Sequence, residues 1–396
     1  MTSSGTFQNL RPSSAFWLTA GIAAALVLLG LAGAHHMESE GHYVTGMNNR
    51  VVWGLPHVFA VFLIVSASGA LNVASIASVF RQSLYKPLSR ISGLLAMALL
   101  VGGLTVLVLD LGRPDRLIIA MTYYNFKSIF AWNIFLYTGF LVVVAVYLWM
   151  MFEPRMNRFT RSAGTVSFIW RLVLTTGTGL IFGVLIAREA LGTLVFVPMF
   201  IAMSLSFGTA VTLLAMMLVF RLGQTAVGDE ILMRLRTLLA YFVAAVAFFV
   251  VVDHLTRLYA SGHTEVERFL LLEGGIYPLL FWVGQGLLGT VIPVILLLTP
   301  RFAGVSQTVI ASLLVLLGAF AQLYVLIIGG QAFPMDIFPG YIEMSTHYEG
   351  VVAGYVPSFP ELALGLGGIG LATLIALVGV RVLPFLPQGS VKQPAG

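Results

Sequence analysis

The chain has 396 residues, 59% of them hydrophobic and only 9% charged, with a mean hydropathy of +0.96. Soluble domains are roughly 45–50% apolar, so the composition excludes a soluble globular protein and gives an all-α integral membrane protein. Cysteine is absent, which excludes thiolate-held iron–sulfur clusters, cysteine-ligated zinc and disulfides within the chain.

About 20 predominantly apolar residues cross a hydrocarbon core of roughly 30 Å. Ten such runs follow one another, at about 14–34, 52–80, 88–109, 128–151, 166–188, 191–220, 236–258, 275–299, 304–330 and 360–382. The first, behind Arg11, is longer than the roughly 7–15 residues of a signal-peptide core and reads as a retained helix. With ten helices both termini face one side. The tails and the connections on that side hold 14 of the 21 Lys and Arg residues, among them Arg81, Arg90, Arg155, Arg171, Arg221, Arg236 and Lys392. Basic residues favour the cytoplasmic side, so both termini are expected there, and the net charge of +5 needs no nucleic-acid partner.

The opposite side carries 13 of the 16 acidic residues and all seven histidines. His35, His36, His42, His263 and His347 read as loop residues, as do acids such as Glu267, Asp336, Glu343, Glu349 and Glu361. Ionisable groups inside helix ends are different, because at membrane depth they cost several kcal/mol unless paired or hydrated. His57 lies near the start of helix 2, Asp110 closes helix 3, Arg188 and Glu189 close helix 5, and Asp253 and His254 precede the end of helix 7. They point to a shallow polar pocket with acid, base and histidine together, although helix-capping Asp–Arg pairs that glue the bundle read equally from the same residues. Asp110 and Arg113 are expected to pair across the end of helix 3. Pro114 stops that helix, since it has no amide hydrogen. On helix 2, His57, Ser68, Asn72 and Ser75 fall on one stripe, with Asn72 a candidate for a proton route alongside Asn133, Tyr137, Gln285 and Gln322; small-residue packing in SASGA (66–70) explains the serines as well. A faint repeat sets SVFRQ (78–82) and Asp110 against LVFRLG (218–223) and Asp253. It implies two four-helix bundles, helices 2–5 (52–188) and 6–9 (191–330), with helices 1 and 10 peripheral, and makes Asp110/Arg113 and Asp253/Arg257 equivalent ion pairs. The long connection 331–358 is either a lid or a partner-docking surface.

The stretches GMNNRVVWGLPHVFAVFLIVSASGALNVAS (46–75) and LVLDLGRPDRLIIAMTYYNFKSIFAWNIF (107–135) resemble the NrfD/PsrC superfamily of quinone-interacting membrane subunits. The wording is most similar to the DsrP branch, whose members sit in the DsrMKJOP complex of sulfur-metabolising bacteria. The resemblance implies two four-helix bundles in the bacterial cytoplasmic (inner) membrane, no haem or iron–sulfur cluster in this chain, and electron exchange between menaquinone or ubiquinone and a docked periplasmic ferredoxin-like iron–sulfur subunit. The family's Asp-Leu-Gly-x-Pro-x-Arg motif matches Asp110, Leu111, Gly112, Pro114 and Arg116, which implies a partner-docking loop with Arg113, Asp115 and Lys127. The quinone is expected near Trp53 and His57. A tyrosine that related subunits carry in helix 5 is missing from LTTGTGLIF (174–182), where Thr176 or Thr178 stands in. Glu189, Asp253 and His254 are candidates for proton transfer. On the helix boundaries above, only His57 and His254 are helical, too few for a di-haem cytochrome. A secondary transporter or proton-conducting subunit without a redox role, and a purely structural anchor, are the alternatives.

Overall fold

A computed structural model describes residues 7–223, 228–335, 341 and 350–387. Asp336, Glu343, His347, Glu349 and Lys392, and most of the connection after helix 9, lie outside these residues. Among the described residues ten helices are long and apolar enough to cross a membrane. They are α1 (Ser14–Glu40), α2 (Leu55–Ser78), α3 (Ser83–Leu109), α4 (Ile129–Phe152), α5 (Pro154–Gly183), α6 (Phe196–Leu222), α7 (Asp229–Tyr259), α8 (Ile276–Leu298), α9 (Val305–Ala332) and α10 (Phe359–Val382). The protein is an all-α integral membrane protein.

Their ends are written in the sequence. The Ser13 hydroxyl accepts the Phe16 amide at the head of α1, Pro56 stands in the first turn of α2, and Ser358 with Glu361 forms a capping box on α10. Each satisfies or removes an amide that a helix start leaves without a partner. Three boundaries correct the reading from hydropathy. Helix α1 runs on to Glu40, so His35 and His36 are helical and exposed. Helix α5 begins and ends earlier, so Arg188 and Glu189 lie in the loop after Gly183, and Arg171, counted with the basic connections, is well inside the helix. Helix α7 starts at Asp229, which buries Arg236. Its guanidinium donates to the carbonyls of Leu296, Leu297 and Thr299 at the end of α8, a positive group on carbonyls that have no helical partner.

Helices α2, α3, α4 and α5 each pack on the next, and α5 packs back on α2; α6, α7, α8 and α9 do the same. Helix α6 meets α2 and α5, α10 lies along α3 and α2, and α1 packs on α10. The α2–α6 crossing is backbone on backbone. A Cβ on Gly69 would stand 1.6 Å from the Ser204 carbonyl oxygen, and one on Gly208 2.1 Å from the Gly69 carbonyl carbon. Small residues let membrane helices approach this closely. At the basic end, Phe7–Gln8 pairs antiparallel with Leu386–Pro387. Arg90 stacks on Phe7 at 3.8 Å and donates to the Pro384 and Met151 carbonyls, tying both termini to one end of the molecule.

Candidate functional site

At the opposite, acidic end the head of α2 is held in place before it does any chemistry. Gln331, buried at the end of α9, accepts the Val52 and Trp53 amides on Oε1 and donates from Nε2 to the Trp53 and Ile327 carbonyls, at 2.7–3.0 Å. The Arg188 guanidinium donates to the Gln331 and Arg50 carbonyls. Trp53 is thereby fixed with its ring stacked on His57 (5.9 Å between centroids, 23° between planes) and edge-on to Phe182.

His57 Nδ1 stands 2.8 Å from Asp110 Oδ2, and the Asp110 side chain is almost fully buried. His42 closes over the same carboxylate: its Nε2 lies 3.0 Å from the Asp110 carbonyl oxygen and 4.0 Å from Oδ1. Gly112 turns the chain here at φ +67°, and a Cβ on it would stand 3.1 Å from the His42 ring, so the motif needs glycine for conformation and for space. His42 is therefore part of the cluster and no loop ornament. The expected Asp110–Arg113 pair does not form. Beyond the Gly112 turn Arg113 points outward and clasps Asp115 through two hydrogen bonds of 3.0 and 2.9 Å. That guanidinium holds the Asp115 carboxyl below its ordinary pKa, chiefly through the hydrogen bonds.

His57 opens onto a cavity of about 440 Å³ between α2, α3, α4 and α5. Its walls are mostly apolar and aromatic, with Trp53, Phe130 and Phe182 at the acidic end and Leu104, Leu107 and Ile64 deeper. Few polar groups enter it. Asn133 spends its amide on the Ile129 and Gly177 carbonyls, leaving Oδ1 with no hydrogen-bond partner among the described residues. Tyr137 lies beside Thr178, its hydrogen-bond partner. The short helix Leu117–Thr122 forms the rim: Leu117 and Met121 face the cavity, while Ile118 and Ile119 are exposed. Apolar walls with a few placed polar groups suit a flat, lipid-soluble ring.

Of the residues expected to contact a quinone, Trp53, His57 and Thr178 line this cavity; Thr176 does not. Asn72 lies away from it. Its Oδ1 accepts from the buried Arg171, which also reaches the Ser68 carbonyl, so this part of the α2 stripe joins α2 to α5. Arg113, Asp115, Arg116 and Lys127 are all exposed at the acidic end. Gln331 carried no recognisable signal, because its role depends on contacts some 278 residues away in sequence.

A second cluster lies between α6, α7, α8 and α9. Arg257 donates to Asp253, as expected, and stands 3.4 Å from Glu267. His254 Nδ1 is 2.6 Å from the other Glu267 oxygen. Glu267, read from sequence as a loop acid, is fully buried on the short helix Thr264–Arg268. Glu361 corrects the same reading: its carboxylate is buried, accepting the Gly46 and Ser358 amides and the Tyr355 hydroxyl. The Ser-x-x-Glu spacing at 358–361 was a legible sign of this. Glu189 sits half-buried in the α5–α6 loop.

The family profile described as polysulphide reductase, NrfD, matches residues 43–335. The chain is 30% identical to the Hdr-like menaquinol oxidoreductase integral membrane subunit of Archaeoglobus fulgidus, over 94% of both chains. It is 22% identical to the C component of selenate reductase from Mesobacillus selenatarsenatis, over 95% of this chain and 96% of that one. It is also 27% identical to the C component of polysulfide reductase from Wolinella succinogenes, over 72% of this chain and 96% of that one. These relatives are membrane subunits of multi-subunit oxidoreductases, and NrfD-family subunits interact with quinone. A multi-pass chain that carries the family's sequence from His57 through Gln331 belongs to the polysulphide reductase NrfD family.

Proposed function

We propose that this chain exchanges electrons between the membrane quinone pool and an iron–sulfur subunit docked on the non-cytoplasmic side, with both termini in the cytoplasm. The observation that carries the reading is the cavity of about 440 Å³ with His57 and its buried Asp110 at one end and the Asn133 acceptor in its wall. The substrate enters sideways past Leu117 and Met121. Its ring rests against Trp53, and its oxygens meet His57, Tyr137 and Asn133. Oxidation of a quinol releases two electrons and two protons. The His57–Asp110 pair takes one of these protons, because the buried carboxylate stabilises the imidazolium that forms, and the other passes to water at the acidic end. Electrons leave toward the surface that holds Arg113, Asp115, Arg116 and Lys127, where the partner docks. Resemblance of the 46–75 and 107–135 stretches to the DsrP branch supports a DsrMKJOP-like complex with further haem and iron–sulfur subunits, in dissimilatory sulfur metabolism, in a bacterial inner membrane.

His57→Ala in the purified complex tests this by titration with a menaquinone head-group analogue. Losing a hydrogen bond with charged character costs about 1.5–3 kcal/mol, so affinity falls roughly 10–150-fold while the subunits stay assembled. Unchanged affinity in an intact complex overturns the site and favours the structural anchor.

A further inference from the structure

We propose that the cavity lined by Asp253, His254 and Arg257 is a proton-loading site, and that its protonation changes by one when the first cavity takes its ligand. The proposal rests on the quinone reading of the first cavity.

The two cavities occupy corresponding places. Trp53 at the head of α2 matches Phe196 at the head of α6; Asp110 closing α3 matches Asp253 near the end of α7. Asn133 and Tyr137 on α4 match Gln285 on α8, and Thr178 on α5 matches Gln322 on α9. Their sizes differ tenfold. The second cavity holds about 40 Å³, far below the roughly 150 Å³ that accepts a benzene ring. About three or four waters fit, at roughly 10–15 Å³ each by the same measure. No quinone enters it.

Its charges do not balance without one proton. Two carboxylates, Asp253 and Glu267, face one guanidinium, Arg257, so the cluster is singly negative with a neutral imidazole and neutral with an imidazolium. Asp253, Arg257 and Glu267 are buried, and a net charge at membrane depth is expensive. One proton on the cluster cancels that charge, and Asp253, His254 and Glu267, joined through Arg257 and the 2.6 Å His254–Glu267 contact, are the groups that can carry it. The groups that α6, α8 and α9 present to the cavity, including Phe196, Met199, Phe281, Gln285, Gln322 and Val325, bear no charge. Water has places to bind, because Asp253 Oδ1 and Arg257 Nε have no hydrogen-bond partner among the described residues.

One segment touches both cavities. Residues Val325–Gly329 of α9 form a π-helical turn, a feature frequent at functional sites. Ile327 lines the first cavity, while Val325, Leu326 and the following Gly330 line the second. A ring seated against Ile327 shifts the turn that also shapes the space beside His254.

The experiment adds a tail-less naphthoquinone to the purified complex in weakly buffered detergent and follows a pH-indicator dye. Wild-type protein exchanges about one proton per analogue bound, the reciprocal linkage that two coupled sites require. His254→Gln and Glu267→Gln still bind the analogue in the first cavity and exchange none. Where either buried change prevents assembly, Gln322→Leu, which dries the cavity and leaves its charged groups, gives the same loss. Variants that exchange the wild-type number of protons overturn the proposal, as does wild-type protein that binds without exchange. Wild-type protein that fails to bind the analogue overturns the quinone reading, and the proposal falls with it.

Discussion

His57 is positioned by three residues from different parts of the chain. Asp110 on α3 faces its Nδ1, Trp53 covers its ring, and Gln331 on α9 holds Trp53. Asp110→Asn keeps the shape and removes the charge that stabilises an imidazolium. If quinol is the substrate, its kcat/KM falls about 10–100-fold while the subunits stay assembled; an unchanged kcat/KM contradicts that role. Gln331→Leu acts at one remove. It strands the Val52 and Trp53 amides, at about 1–3 kcal/mol each if they stay buried, and lets Trp53 drift. We expect KM for quinol to rise more than kcat falls, with Gln331→Glu retaining part of the affinity because Oε1 can still accept both amides. Equal changes in both variants remove Gln331 from this role. The sequence made His57 and Asp110 legible because an ionisable group in an apolar helix stands out. It misassigned Arg113, since a Gly–Pro turn decides which of two adjacent acids the guanidinium meets.

At the scale of elements, apolar run length revealed ten helices but could not locate the polar residues that fold into them. Arg171 and Arg236, near the starts of their apolar runs, count by sequence with the basic connections, whereas these guanidinium groups are buried inside helices and donate to acceptors such as the Asn72 side chain and the Leu297 carbonyl. The π-helical register of Leu280–Val291 left no trace in hydropathy either, since packing sets it: a Cβ on Gly289 would come within 2.5 Å of the Gly318 backbone. The described strap of residues 350–358 is pinned by Tyr355, whose hydroxyl accepts the Leu55 amide and donates to Glu361, each at 2.6 Å. Burial, and then the Glu361 carboxylate, push the Tyr355 pKa up. The sign follows: its stabilising effect is full below the ordinary tyrosine value of about 10 and fades as pH rises through the higher folded value. Tyr355→Phe loses both hydrogen bonds, about 1–3 kcal/mol, and raises amide exchange at Leu55 and along the strap. Unaltered exchange shows that the strap is held elsewhere. Gly69→Leu puts a side chain into the Ser204 carbonyl and, we expect, abolishes recovery of folded protein, whereas the same change at Gly21, where a Cβ meets nothing within 4 Å, is tolerated.

Across the whole molecule, the charge asymmetry visible in the sequence becomes two faces with different work. At the end that joins the termini, Arg90 and Arg236 are used internally and bind carbonyls, while cations such as Arg155, Arg158, Arg161 and Arg221 are exposed. The acidic end buries four carboxylates, Asp110, Asp253, Glu267 and Glu361, while Glu38, Glu40, Asp115, Glu265 and Glu273 stay exposed. Arg113, Arg116 and Lys127 are exposed there beside exposed Tyr123 and Phe126, and Arg113 is held by Asp115. Within 113–127 three exposed cations stand beside aromatics with Asp115 as the one acid, a local balance that suits an acidic partner. Arg116→Glu with Lys127→Glu reverses two of those charges without touching the cavity lining. Charge reversal at a rim acts mainly on association rate and fades with salt, because the screening length falls from about 30 Å at 0.01 M to roughly 8 Å at 0.15 M ionic strength. The double variant should therefore associate with the iron–sulfur subunit proposed as its partner about tenfold more slowly at low salt. At high salt its rate should approach that of wild type. Binding of the quinone head-group analogue stays the same throughout, since neither residue lines the cavity. An association rate that ignores both the substitutions and the salt would move the electron partner to another face. His57 would then lie at the wrong end for direct electron exchange.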